Sequence, residues 1–535
     1  MTNAPLPYLI KNGTATQLIV DGAPFLIRGG ELGNSSAERA YLTEFWPRLD
    51  ALNLNALVAP VYWDVIEPVE GQFDWTTVDE LLADARLHKL RIVLLWFGSW
   101  KNSMSSYVPG WVKKDLTRFP RARGGNGVPL EMLSAFYPSN WQADAKAFAA
   151  LLAHLREVDT DHTVILVQVE NEIGMIPDAR DHAEAADQAW AGPVPAELLE
   201  YLGAQQGVIG APLRGVQDLW ASNGRRTAGT WAEVFGDSPA AQEIFQAYAF
   251  AKYCDVIAMA GRSELDLPMY TNAALIRTGT VPGQYPSAGP LPHLADIWRA
   301  GAPHLDFIAP DIYFPEFAHW ADAYVESGNP LFVPEALRNV DAAANALYAY
   351  GKYGALGFSP FGIESMDGNA AQMYAGANKV IAQLTPLLAA HAGDGTMTGL
   401  LKPTADQRAP HRVRLVDVDL EATYERAPAP SLADGVINES GQAGGAEMLP
   451  AAAIVIRTGP DELVVAGIGV TLTFHDTDPS GEIVGILSCE EGEFDADGHW
   501  RHIRWLNGDQ THQGRHVRLE PGRFAIQRVH LYRYH

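Results

Sequence analysis

The chain has 535 residues, and single hydrophobic cores stop growing at roughly 250 to 300, so more than one domain is expected. With 64 acidic against 39 basic residues the net charge is −25, and no Lys/Arg-rich run tracks phosphates, which argues against nucleic acid and anionic membrane surfaces as partners. Two cysteines far apart, Cys254 and Cys489, offer neither a disulfide framework nor a CxxC metal pattern, and no run of about 18 apolar residues marks a membrane span. The opening MTNAPLPYLIKNG lacks a basic stretch followed by an apolar one, so a cytoplasmic location is the default expectation; a periplasmic one would apply to a trimmed mature chain.

In chain order, Thr14 to Val20 reads as an N-terminal strand. From about Phe25 to Leu384 short apolar runs then alternate with segments of helical period. The runs are FLIRGGE, NALVAPVYW, RIVLLWFG, VILVQVENE, PMYTNA, FIAPDIYF, LFVPEA and ALGFSPFG. Between them, Thr77 with Glu80 reads as a capping box, Ser139 as a helix start, and Ser238-Pro239 as an N-cap followed by proline. Strands apolar nearly throughout, alternating with amphipathic helices, predict a parallel sheet covered by helices, and eight units fit a (β/α)8 barrel better than an open sheet. The glycines of RGGELGNSS do not have the GxGxxG spacing of a dinucleotide site.

The stretch from about 176 to 262 is longer than one crossover and reads as an insertion over the barrel's top face, with Trp220 and Trp231 as candidates for lining a pocket. From about Gly393 the pattern changes to period two with Gly, Asp and Pro turns. The expected organisation is a catalytic barrel over 1–392 and an all-β, sandwich-like domain over 393–535. Within the latter, Gly441 to Met448 reads as a flexible loop.

Active groups of such a barrel sit at the C-terminal ends of its strands. The runs end in Glu31, in Tyr62 and Asp64, in Trp100 and Asn102, in Asn171 and Glu172, in Asn272, in Asp311 and Tyr313, in Glu335, and in Phe361 and Glu364. No HxH follows strand one, and HExxH, GxSxG and P-loop motifs are absent from the sequence, so metal, serine-nucleophile and nucleotide chemistry are disfavoured. No cofactor is expected. Carboxylates, amides and indoles together describe a sugar site, where hydrolysis needs one carboxyl as acid and another as nucleophile or base. Strands four and seven can supply that pair as Glu172 and Glu335. Glu170, one layer deeper, and Glu364 on strand eight are the alternatives, and Glu67 reads as a structural carboxylate.

An Asn-Glu pair closing strand four and a lone Glu closing strand seven resemble the pattern of clan A retaining glycosidases. YWDVIEPVEGQFDW, Tyr62 to Trp75, resembles the signature after strand two of glycoside hydrolase families 35 and 42, the β-galactosidases, and VQVENEIG is close to the family 35 acid/base motif. Strand one reads GGELGNSS where family 35 commonly has a His-Tyr pair, and strand three reads WFGSWKN in place of Ala-Glu-Trp. The resemblance implies a retaining exo-β-galactosidase acting on a disaccharide or oligosaccharide, with Glu172 as acid/base and Glu335 as nucleophile. It further implies that Asn171 holds the sugar 2-hydroxyl and Tyr313 orients Glu335. Trp100, Asn102, Tyr62 and Glu31 are the candidate substrate contacts. Another clan A β-glycosidase, a silent sugar-binding barrel and a metal-dependent hydrolase are the competing readings, and self-association into a homo-oligomer stays open.

Overall fold

A computed structural model describes residues 5–205, 215–403, 410–424, 450–477 and 482–535. Eight strands carry the expected apolar runs: β1 (Ile27–Arg28), β2 (Ala56–Tyr62), β3 (Arg91–Lys101), β4 (Val164–Asn171), β5 (Met269–Ala274), β6 (Phe307–Asp311), β7 (Phe332–Ala336) and β8 (Gly357–Pro360). Strands β2 to β6 form one parallel sheet in sequence order, and β7, β8 and β1 form a second. Backbone hydrogen bonds close the two seams. Ile312 N–H donates to the Glu335 carbonyl at 2.9 Å, and Val58 N–H to the Gly30 carbonyl at 2.9 Å. The result is a closed (β/α)8 barrel. Every residue of β2, β4, β6 and β7 is buried, as strands must be when one face meets the barrel interior and the other the helices.

Two crossover helices matter for the site: α1 (Pro138–Val158) after β3, and α2 (Pro239–Arg262) after β4. Helix α2 starts as its sequence predicts, with Pro239 in the first turn and Ser238 Oγ accepting the Ala241 N–H at 3.2 Å. It packs along α1 and against β4, so it is the barrel's own crossover, and the inserted segment ends before it rather than at 262. Trp220 and Trp231 are buried within that segment. The Trp220 indole N–H donates to the Arg226 carbonyl, and Trp231 packs against Phe235, Phe245 and Tyr248.

Two predicted helix starts differ. The helix Thr76–Leu87 has no capping box at Thr77, because it begins one residue earlier, where the Asp74 carboxylate accepts the Thr76 N–H, and Glu80 pairs with Arg39. The helix α1 begins at Pro138, one residue before Ser139. A capping box does form at Thr230 and Glu233.

Beyond the barrel, a six-stranded sheet is ordered Met397–Leu401, Ala452–Gly459, Glu462–Ile468, Ala525–Tyr534, Ile483–Phe494, Trp500–Leu506. Its period-two pattern serves two cores. Ile454, Ile456 and Val464 join the barrel's hydrophobic core, whereas Val455, Leu463 and Val465 meet Leu420 and Leu472 of a four-stranded second sheet. The sheet's first strand crosses the barrel helix Asp341–Tyr353 where Gly351 meets Gly399; a Cβ on Gly399 would come 2.8 Å from the Lys352 nitrogen. The predicted loop Gly441 to Met448 lies outside the described residues.

Candidate active site

The end of β4 breaks the alternation that its sequence suggests. In a regular strand Glu170 and Glu172 would share a face, but both have left-handed backbone, with φ of 61° and 46°. Non-glycine residues adopt this conformation at a cost that tends to concentrate at functional sites. The partner strand β3 is irregular too, its register to β4 shifting between Trp96 and Lys101. Glu170 consequently turns outward to the helices while Asn171 and Glu172 face the barrel mouth.

Glu170 is fully buried, and its oxygens accept the backbone N–H groups of Ser99 at 3.2 Å and Trp100 at 2.7 Å. Beside it Asp144 of α1 accepts the Trp96 indole N–H and the Ser99 N–H, both at 2.9 Å. Burial and then the Asp144 charge push Glu170 well above the usual carboxylate range, and burial raises Asp144 as well. The two carboxyls together clamp the bulged end of β3 through its Trp96, Ser99 and Trp100 N–H groups.

At the mouth, one oxygen each of Glu172, Asp311 and Glu335 lie within 4.8 Å of one another. The Asn171 amide donates to Glu335 Oε1 at 3.0 Å, and the Tyr313 hydroxyl donates to Glu335 Oε2 at 2.7 Å. Asn272 accepts the Glu172 backbone N–H at 2.9 Å and donates to Asp311 Oδ2 at 2.7 Å. Burial first, and the Glu335 charge second, raise Glu172 to about 7, against the opposing pull of the Lys101 ammonium and of a hydrogen bond with Asp311. Burial and the same neighbouring carboxylates hold Asp311 well above its usual range. These three carboxylates are the buried cluster, among the described residues, that could hold a metal ion; they offer oxygen ligands alone.

Glu31 is also here. Its side chain is wholly buried, neither carboxyl oxygen has a hydrogen-bond partner, and burial followed by the charge of Glu335 raises it well above the normal range. Lys101 was not among the sequence candidates. It is 6% exposed at the end of β3 and donates to Asn171 Oδ1 at 2.7 Å. The apolar run of β3 ends at Gly98 in sequence, but the strand continues to Lys101. A lysine just past WFGSW was the signal that could have found it.

Two expected contacts, Trp100 and Tyr62, are placed otherwise. Trp100 is fully buried and faces the helices, its ring 4.4 Å from that of Tyr253 and 5.5 Å from that of Phe250 on α2, so it offers no face to a sugar. The Tyr62 ring packs against Phe97 and Tyr107 and its hydroxyl accepts the Ala37 N–H at 3.4 Å, which places it in the wall rather than on the carboxylates. Asn102 is exposed on the rim, its backbone N–H donating to the Asn171 carbonyl. Glu364 accepts the Ser36 hydroxyl at 2.7 Å and the Gly33 N–H at 3.2 Å, a support for the strand-one loop. Glu67 accepts the Trp63 indole N–H and the Gly71 N–H, a structural arrangement.

A family model described as a domain of unknown function (DUF5597) matches residues 374–518, from within the last barrel helix (Gly368–His391) into the β domain. The chain is similar to a β-galactosidase of Xanthomonas manihotis, 29% identical over 184 residues, which are 32% of this chain and 27% of that protein. The chain thus spans about a quarter of the length of this curated relative. Among solved structures it is similar to a β-galactosidase from Marinomonas ef1, with 13% identity, a TM-score of 0.46, and coverage of 67% of this chain and 60% of that one. A β-galactosidase from Rahnella sp. R3 gives 16% identity and a TM-score of 0.46 over 68% of this chain and 57% of that one.

Proposed function

We propose that the protein is a retaining exo-β-galactosidase, with Glu335 as nucleophile and Glu172 as acid/base, acting on a disaccharide or an oligosaccharide end. The observation that carries this reading is the pair itself: two buried carboxyls from different strands with oxygens within 4.8 Å, one raised to about 7 and the other held by three neutral donors, Asn171, Asn272 and Tyr313. Retaining glycosidases need carboxyls about 5 to 5.5 Å apart, whereas inverting ones keep about 6.5 to 9.5 Å for a water. The similarity to a curated β-galactosidase supports galactose as the glycone.

In the first step a Glu335 oxygen bonds to the anomeric carbon as the bond to the leaving oxygen breaks, and Glu172 delivers its proton to that oxygen. In the second, water attacks the galactosyl-enzyme ester and gives its proton to Glu172, which restores both carboxyls. Tyr313 and Asn171 orient Glu335 before attack, and Asn171 also faces the sugar 2-hydroxyl. The unpartnered oxygens of Glu31 meet a further sugar hydroxyl. Nothing in this scheme calls on a cofactor. No helix among the described residues is long and apolar enough to cross a membrane.

A panel of nitrophenyl glycosides followed by proton NMR tests the reading. Turnover of the β-galactoside above the β-glucoside, β-xyloside and β-mannoside, with β-galactose formed first, is expected. A different preferred glycone would assign another β-glycosidase; α-galactose as first product, or binding without turnover, would overturn the mechanism.

A further inference from the structure

We propose that Lys101 is a positioning residue for this pair: its ammonium fixes the Asn171 amide with its N–H side toward Glu335 and sets the charge balance among Glu31, Glu172, Asp311 and Glu335. This deepens the retaining reading and rests on it.

An amide can face either way, and its orientation follows the partners it meets. Lys101 Nζ can only donate, so its 2.7 Å contact must be with the Asn171 oxygen, and the Asn171 nitrogen is left to donate to Glu335 Oε1 at 3.0 Å. The geometry that aims Lys101 is built for the purpose. Strand β3 bulges before it, Asn102 and Ser103 after it have φ of 51° and 61°, and the clamp of Glu170 on the Ser99 and Trp100 N–H groups holds the bulge. The ammonium also lies 5.2 Å from the Phe97 ring centre and 6.0 Å from that of Phe361, contacts that favour a cation.

The groups facing the ammonium are Glu31 from the end of β1, Asn171 and Glu172 from β4, Asp311 from β6 and Glu335 from β7. Burial alone would lower the lysine's proton affinity, but those four carboxyls outweigh it, so Lys101 stays charged across the working range. In return it lowers the proton affinity of Glu172.

The test is Lys101→Met, with Lys101→Gln as a neutral donor of similar length and Lys101→Arg as the conservative change. Glu172 is titrated by carbon NMR of glutamate-labelled protein, its signal assigned by comparison with Glu172→Gln. Loss of the ammonium should move the Glu172 midpoint upward by about one unit or more in both neutral variants, and leave it near the wild-type value in Lys101→Arg. The alkaline limb of kcat should move with it. Lys101→Met should also lower kcat about 100-fold with KM changed far less, and Lys101→Gln, which can still orient Asn171, should lose less. An unmoved Glu172 midpoint in the neutral variants, or a loss of rate that merely follows a lowered melting temperature, would overturn the proposal. If Lys101→Met does not fold, Lys101→Gln carries the reading. The titration stands whether or not the wild type hydrolyses galactosides, so failure of the positioning role and failure of the galactosidase reading are distinguishable.

Discussion

Glu172 and Glu335 bring carboxylate oxygens to within 4.8 Å of each other from the ends of β4 and β7, the close spacing on which the proposed retaining reading rests. The two roles predict different leaving-group behaviour. Glu172→Ala should lose about 10²- to 10⁴-fold in rate on galactosides with alkyl leaving groups, the usual worth of a general acid. It should keep most of its glycosylation rate on dinitrophenyl galactoside, which needs no proton. Equal losses on both substrates would remove Glu172 from the acid role.

Because Glu172 is raised to about 7, kcat/KM should fall as pH rises past about 7, where the acid form disappears. The same shift acts on stability. A carboxyl whose folded pKa lies above its unfolded value binds more protons in the native state, so its contribution falls as pH climbs from about 4.5 to about 7. Glu172→Gln should therefore melt higher than wild type at pH 8, by up to about 3 kcal/mol, and match it near pH 4. A variant less stable than wild type at pH 8 would contradict the shift.

Tyr313 donates to Glu335 Oε2 at 2.7 Å. A hydrogen bond to a charged group is worth about 1.5 to 3 kcal/mol, so Tyr313→Phe should lower kcat roughly 10- to 100-fold while KM changes little. Steady-state kinetics on nitrophenyl galactoside decide it; a change confined to KM would make Tyr313 a substrate ligand instead.

Glu170 is pushed above the usual carboxylate range by burial and the neighbouring Asp144, and it is bonded to the β3 backbone. Glu170→Ala leaves the buried Trp100 N–H without its acceptor, while Ser99 N–H and Asp144 keep each other, and should cost about 1 to 3 kcal/mol in urea unfolding. Glu170→Gln resembles the protonated form and should cost less than half as much, with the alkaline limb of kcat unmoved. A displaced limb would give Glu170 a part in the proton transfer.

Much of the barrel was legible because a strand buried on both faces leaves an uninterrupted apolar run, and eight such runs correspond to β1 to β8. The closing β domain was legible for a related reason, its period-two pattern serving two cores through Ile454 and Val455. The directions of side chains at strand ends were less so. Whether Glu170 or Glu172 enters the mouth depends on left-handed backbone at both, which packing against Asp144 and Asn272 sustains and no local pattern announces. The bulge in β3 likewise sends Trp100 to the helices and Lys101 inward, the reverse of what an indole at a sugar site invites one to expect. Thr77 is not a cap because the helix already begins at Thr76, whose N–H the Asp74 carboxylate accepts.

The most direct test of the central claim is Glu335→Ala assayed on nitrophenyl β-D-galactoside with and without azide. Glu335 as nucleophile predicts an active wild type, a dead variant, and recovery of turnover in azide with α-galactosyl azide as the product. A variant that keeps its rate, or one that azide does not revive while the fold is intact, would contradict the assignment of Glu335.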